Sequence, residues 1–118
     1  MGEVSQQRKW VREEVVILVV EYFRTKNFSD EEIKKSHQFI SSFLRKREEM
    51  VTGSPLISDI FRNYNGIRMQ SGRICCLDPE TKYCGMQGTK LQKEIVQEYL
   101  ENPQKIILEA EQIYAKYK

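Results

Sequence analysis

Between Asp59 and Asp78 the chain carries Arg62, Arg68 and Arg73 and no acidic residue. Interleaved with them are Asn63, Tyr64, Asn65 and Gln70. Arginines among neutral hydrogen-bonding side chains suit phosphate oxygens or an acidic protein surface. Arg62, Asn63, Tyr64, Arg68 and Arg73 are therefore the candidate contacts to a protein partner or to nucleic acid. The same region holds Cys75, Cys76 and Cys84, and His37 is the chain's one histidine. Those four residues make a Cys₃His set that could hold a structural zinc ion. Turn-rich backbone with few apolar residues of its own would gain most from such a staple. Against zinc, no C-x-x-C pair is present, the histidine could be a core imidazole, and the cysteines could be small buried hydrophobes.

Catalysis lacks its parts. Glu13-Glu14, Glu31-Glu32 and Glu48-Glu49 are adjacent pairs, and neighbours in a helix do not face one another. They are expected to be solvated faces rather than acid–base dyads. Cys84 with His37 is the one conceivable nucleophile–base pair, and no glycine-rich phosphate loop is present. The expectation is no enzyme and no small-molecule substrate.

Helical segments must position these residues. Val11, Val15, Leu18, Val19 and Tyr22 recur at helical spacing over about Trp10–Arg24, and the run Val15–Val20 is apolar nearly all round. Ser29-Asp30-Glu31-Glu32 is a capping-box pattern opening a second helix. Ile33, His37, Ile40 and Leu44 fall on one face of it, widened by Phe39 and Phe43. Arg45, Lys46 and Arg47 would then complement the dipole at its far end. Ser54-Pro55 predicts a short third helix through about Phe61. Thr89 with Gln92 opens a fourth, and Asn102-Pro103 stops it and caps a fifth. Residues 63–88 read as turns, with room for one short hairpin of Ile67–Met69 against Arg73–Cys76. The fold class is thus mainly α: about five helices, with a frame over 10–61 and 89–117 and an irregular Arg- and Cys-bearing insert over 62–88.

The 118 residues suit one domain with a single core. A net charge of +2 excludes a polybasic tail, so attraction to an acidic partner must come from a local patch. The apolar run Val15–Val20 is far short of the roughly 20 residues of a membrane span. With no signal-peptide pattern at the amino terminus, the expectation is cytoplasmic, without membrane association. Three cysteines in a reducing compartment argue against a disulfide framework.

The sequence resembles a known family, the helical domain found ahead of the HNH nuclease domain in some restriction endonucleases, including enzymes that cut modified DNA. Trp10-Val11-Arg12-Glu13-Glu14 leading into Glu21-Tyr22-Phe23 looks like that family's opening helix. Phe61-Arg62-Asn63 with Asn65-Gly66-Ile67 and Met69 looks like its central stretch. Leu77-Asp78-Pro79 and Gly85-Met86-Gln87-Gly88 match the turns that follow, and Glu98-Tyr99 with the last helix match its close. The family usually shows Asn then Phe where this chain has Arg73-Ile74, and it does not generally carry Cys75-Cys76. A ββα-metal nuclease needs a His base and further metal ligands, and this chain has no second His. The resemblance therefore implies a non-catalytic binding protein. The leading expectation is an interference protein of the anti-CRISPR type, binding an RNA-guided nuclease complex and blocking DNA loading or cleavage. The alternative is a DNA-binding accessory module, reading duplex or modified DNA for an HNH restriction system. On either reading, replacing Arg62, Arg68 and Arg73 together by Ala is expected to abolish binding and leave the melting temperature nearly unchanged.

Overall fold

The apolar run Val15–Val20 sits inside α1 (Arg12–Thr25), and every other helix packs on that helix. The protein is described here by a computed structural model covering residues 9–54, 57–82 and 84–117. Five helices and no strand are present among those residues. A helix enclosed on several sides needs apolar residues around its whole circumference, and Val15 to Val19 are each no more than 1% exposed.

The second helix, α2 (Asp30–Thr52), starts where the Ser29 hydroxyl accepts the Glu32 N–H at 3.2 Å. It ends at Gly53, whose φ of 74° lies in the left-handed region that glycine enters at least cost. The helix runs past the basic cluster, so Arg45 and Arg47 do not serve its dipole. Arg45 donates instead to the carbonyls of Ser58 and Phe61, holding the chain that leaves the helix. Arg47 reaches Glu13 of α1 at 2.9 Å.

The third helix lies elsewhere than the sequence suggests. Pro55 and Leu56 are outside the described residues, and residues 59–62 form turns rather than a helix. The helix is α3 (Tyr64–Cys75), inside the expected insert, so no hairpin joins Ile67–Met69 to Arg73–Cys76. Ile67 and Ile74 explain it: seven residues apart, they share one helical face, and both are fully buried. Gly72 lets this helix accept a close neighbour, since a Cβ there would lie 3.0 Å from the Met86 sulfur.

The last two helices follow their sequence signals. Before α4 (Lys90–Glu101), Thr89 Oγ1 accepts the Gln92 N–H at 3.1 Å, and the Gln92 side chain accepts the Thr89 N–H at 3.0 Å. Buried Gln92 also donates to Gln70 at 2.7 Å, tying α4 to α3. Asn102 caps α5 (Pro103–Lys116), accepting from Lys105 N at 3.3 Å with Pro103 in the first turn. Ile40, Leu44, Ile67, Ile74, Ile95 and Ile106 close over α1 to complete one core. No helix among the described residues is long and apolar enough to cross a membrane.

Candidate binding surface

Arg62 turns inward, so it is not part of an exposed cationic cluster. Its φ of 46° is left-handed, a strained conformation for a residue with a Cβ. Its guanidinium grips Glu14 at 2.9 and 3.1 Å. It also lies over the Trp10 ring at 4.0 Å and the Phe61 ring at 4.4 Å. Arg62 is 6% exposed and Glu14 is 0%. The Ser41 hydroxyl donates to the Arg62 carbonyl at 2.7 Å, fixing the backbone as well. Glu14 is therefore not part of a solvated face, and neither is buried Glu48; both correct the reading of the glutamate pairs.

The remaining candidates divide between structure and surface. Asn63 is the N-cap of α3, its side chain accepting the Gly66 N–H at 2.9 Å. Arg73 donates to the Gln87 carbonyl at 2.7 Å, while its Nε is buried without a partner. Tyr64 opens α3 with its ring 6.3 Å from that of His37. Arg68, one turn further along, is exposed and has no ion pair or hydrogen bond among the described residues. Tyr64, Arg68 and His37, with Asp30, Ile33 and Lys34 of α2, line a cleft of about 410 Å³. Burial, and then the Arg68 charge, push His37 below its usual range and favour the neutral imidazole.

The four candidate zinc ligands do not meet. His37 lies in the α2–α3 cleft, whereas Cys76 and Cys84 are joined as a disulfide and Cys75 lies against Thr81. Among the described residues no three His, Cys, Asp or Glu side chains converge on a metal position. The Cys84–His37 dyad is likewise not formed. The disulfide itself corrects the sequence reading. Its Cα atoms are 5.3 Å apart, within the usual range, because the turn after α3 brings Cys84 back against the helix end. Closing a loop of this length removes unfolded-chain entropy, so Cys84→Ser is expected to cost about 2–3 kcal/mol. Urea denaturation without reductant measures this, and an unchanged midpoint would contradict the closure.

Sequence reasoning missed one polar centre. Asp78 is 4% exposed. It accepts from the Tyr22 hydroxyl at 2.7 Å and from the Glu80 N–H at 3.0 Å, and it pairs with Lys26. Burial pushes its carboxyl upward, but these three donors together hold it below the usual carboxylate range. Burial and the same hydrogen bond push the Tyr22 hydroxyl upward. The network pins residues 78–81 to the end of α1. The Asp78-Pro79 turn was visible in the sequence, but its partners lie over 50 positions away.

A second concavity of about 360 Å³ lies between α1, α2 and α5, where Phe28 and Phe39 flank Tyr114. Compared with protein-family models, curated proteins and solved structures, the chain matches none.

Proposed function

We propose that this is a non-catalytic protein that acts stoichiometrically, of the anti-CRISPR type, binding an RNA-guided nuclease and blocking DNA loading or cleavage. The observation that carries this reading is the exposed face of α3. There Arg68 stands beside Met69, which is 50% exposed, with Tyr64 one turn away. Arginine, methionine and aromatic side chains are the residues enriched in protein–protein contacts. Ile60, at 56% exposed, adds apolar surface just before this helix. Holding these groups on a helix packed against α1 and α2 lowers the ordering cost of binding.

The second reading, a DNA-binding accessory module for an HNH restriction system, draws support from the cationic side of the α2–α3 cleft. It is weakened by Arg62, whose guanidinium is buried against Glu14, and by Arg73, which commits one N–H to the Gln87 carbonyl. Affinity for duplex DNA grows with the number of phosphates neutralised, and its salt dependence grows with it.

A mobility-shift titration on modified and unmodified duplexes, over a range of salt, separates the readings. The proposal expects no shift below high micromolar protein, together with capture of a purified, guide-loaded nuclease. In the same capture assay Arg68→Glu is expected to weaken binding by about tenfold or more without lowering the melting temperature. Tight duplex binding with a steep salt slope would favour the second reading, and unchanged nuclease capture by Arg68→Glu would remove α3 from the interface.

A further inference from the structure

The outward stripe of α2 is its own complement when reversed. Phe28, Glu32, Lys35 and Phe39 all line the concavity between α1, α2 and α5. Their spacings of four, three and four residues put Glu32, Lys35 and Phe39 on one side of the helix, with Phe28 at its head just before the Ser29 cap. Both phenylalanines are nearly half exposed, at 45% and 47%. Glu32 and Lys35 are exposed and make no ion pair among the described residues. The other charges of the lining are matched within the chain: Arg24 holds Glu21 through two hydrogen bonds, and Ser36 donates to the same carboxylate. The floor is Tyr114, whose ring packs on Phe39 at 5.7 Å and on Phe43 at 4.9 Å. The stripe thus offers two half-exposed rings at its ends and two unmatched charges of opposite sign at its middle.

We propose that this face binds a second copy of the chain about a two-fold axis, with the two α2 helices antiparallel. An axis crossing the stripe midway between Glu32 and Lys35 sets Glu32 of each copy against Lys35 of the other, and Phe28 of each against Phe39 of the other. Each unmatched charge then meets its opposite, and each exposed ring gains an aromatic neighbour. The concavity of about 360 Å³ beside Phe28 and Tyr114 gives the incoming Phe39 of the second copy a place to enter. Charge complementarity selects this occupant. An acidic partner would oppose Glu32 and a basic one would oppose Lys35, whereas an inverted second copy presents the opposite charge at both positions. One helix stripe with its flanking rings is a small area beside that of an obligate dimer, so the association is reversible and depends on concentration. The face shares no residue with the exposed side of α3. The inference therefore does not rest on the proposed function: self-association and nuclease capture can each fail while the other holds.

Sedimentation velocity, run from low micromolar to near-millimolar protein, is expected to show the mass rising from monomer to dimer. Glu32→Lys and Lys35→Glu should each weaken association by about tenfold or more, because each sets like charges against one another twice across the axis. An equimolar mixture of the two variants should recover the dimer, since their stripes then carry opposite charge throughout. Misfolded variants could not produce that recovery. Both substitutions fall on exposed residues, so each variant should keep the thermal unfolding profile of the unchanged chain within a few degrees. Lys93→Glu, exposed on α4, should leave the dimer as strong as before. A monomeric mass at every concentration, a dimer that neither charge variant weakens, or equal weakening by Lys93→Glu overturns the proposal. So does a mixture that associates no better than its components.

Discussion

Arg62→Ala is expected to destabilise the fold by about 3–5 kcal/mol, because it takes from the fully buried Glu14 carboxylate the guanidinium that pairs with it. Glu14 is 0% exposed and takes two hydrogen bonds from this guanidinium. The substitution also empties the space between the Trp10 and Phe61 rings. Against the 5–15 kcal/mol that holds a typical domain together, such a loss is large. Equilibrium urea unfolding checks it, read by the fluorescence of Trp10. Replacing both partners, as Glu14→Leu with Arg62→Met, should recover most of the loss, since no charge is then stranded. A single-variant change below about 0.5 kcal/mol, typical of surface substitutions, would mean that the pair is not buried as described. The expectation that all three arginines could be removed without loss of stability therefore fails at Arg62.

Ile17→Ala is the second large effect, at about 3–4 kcal/mol. Ile17 is fully buried in the middle of α1, the helix that contacts all four others. A cavity there has walls on several helices, and they cannot all move to fill it. A control at Leu108, 54% exposed on α5, should change stability by less than about 0.5 kcal/mol. If the two substitutions cost the same, α1 is not the centre of the bundle.

What could be read from sequence was local. The Thr89–Gln92 box, the Asn102-Pro103 junction and the Ser29 cap are complete within a few residues, and each formed where its signal lies. The all-round apolar run at Val15–Val20 gave a central helix for the same reason. The third helix lies outside the segment that its local signals mark, because the buried pair Ile67 and Ile74 overrides the turn signals Asn65-Gly66 and Gly72. Pairing across the chain left no trace in spacing. Arg62 finds Glu14 across 48 positions and Asp78 finds Tyr22 across 56. An arginine count therefore could not separate the buried Arg62 from the exposed Arg68. The cysteines illustrate the same limit. Three of them within ten residues suggested ligands, while the backbone turn after α3 joins two and leaves the third beside Thr81. His37 was legible as an inward-facing residue on α2, but the cleft beside it exists only because α3 is a helix.

The proposed function meets its most direct test in a cleavage titration. A purified RNA-guided nuclease, loaded with guide, is challenged with target plasmid at rising concentrations of this protein. The proposed function predicts that cleavage falls in proportion to protein added and ceases at a fixed molar ratio, with the plasmid intact when this protein is present alone. Undiminished cleavage at large molar excess, or plasmid hydrolysis by this protein without the nuclease, would contradict it.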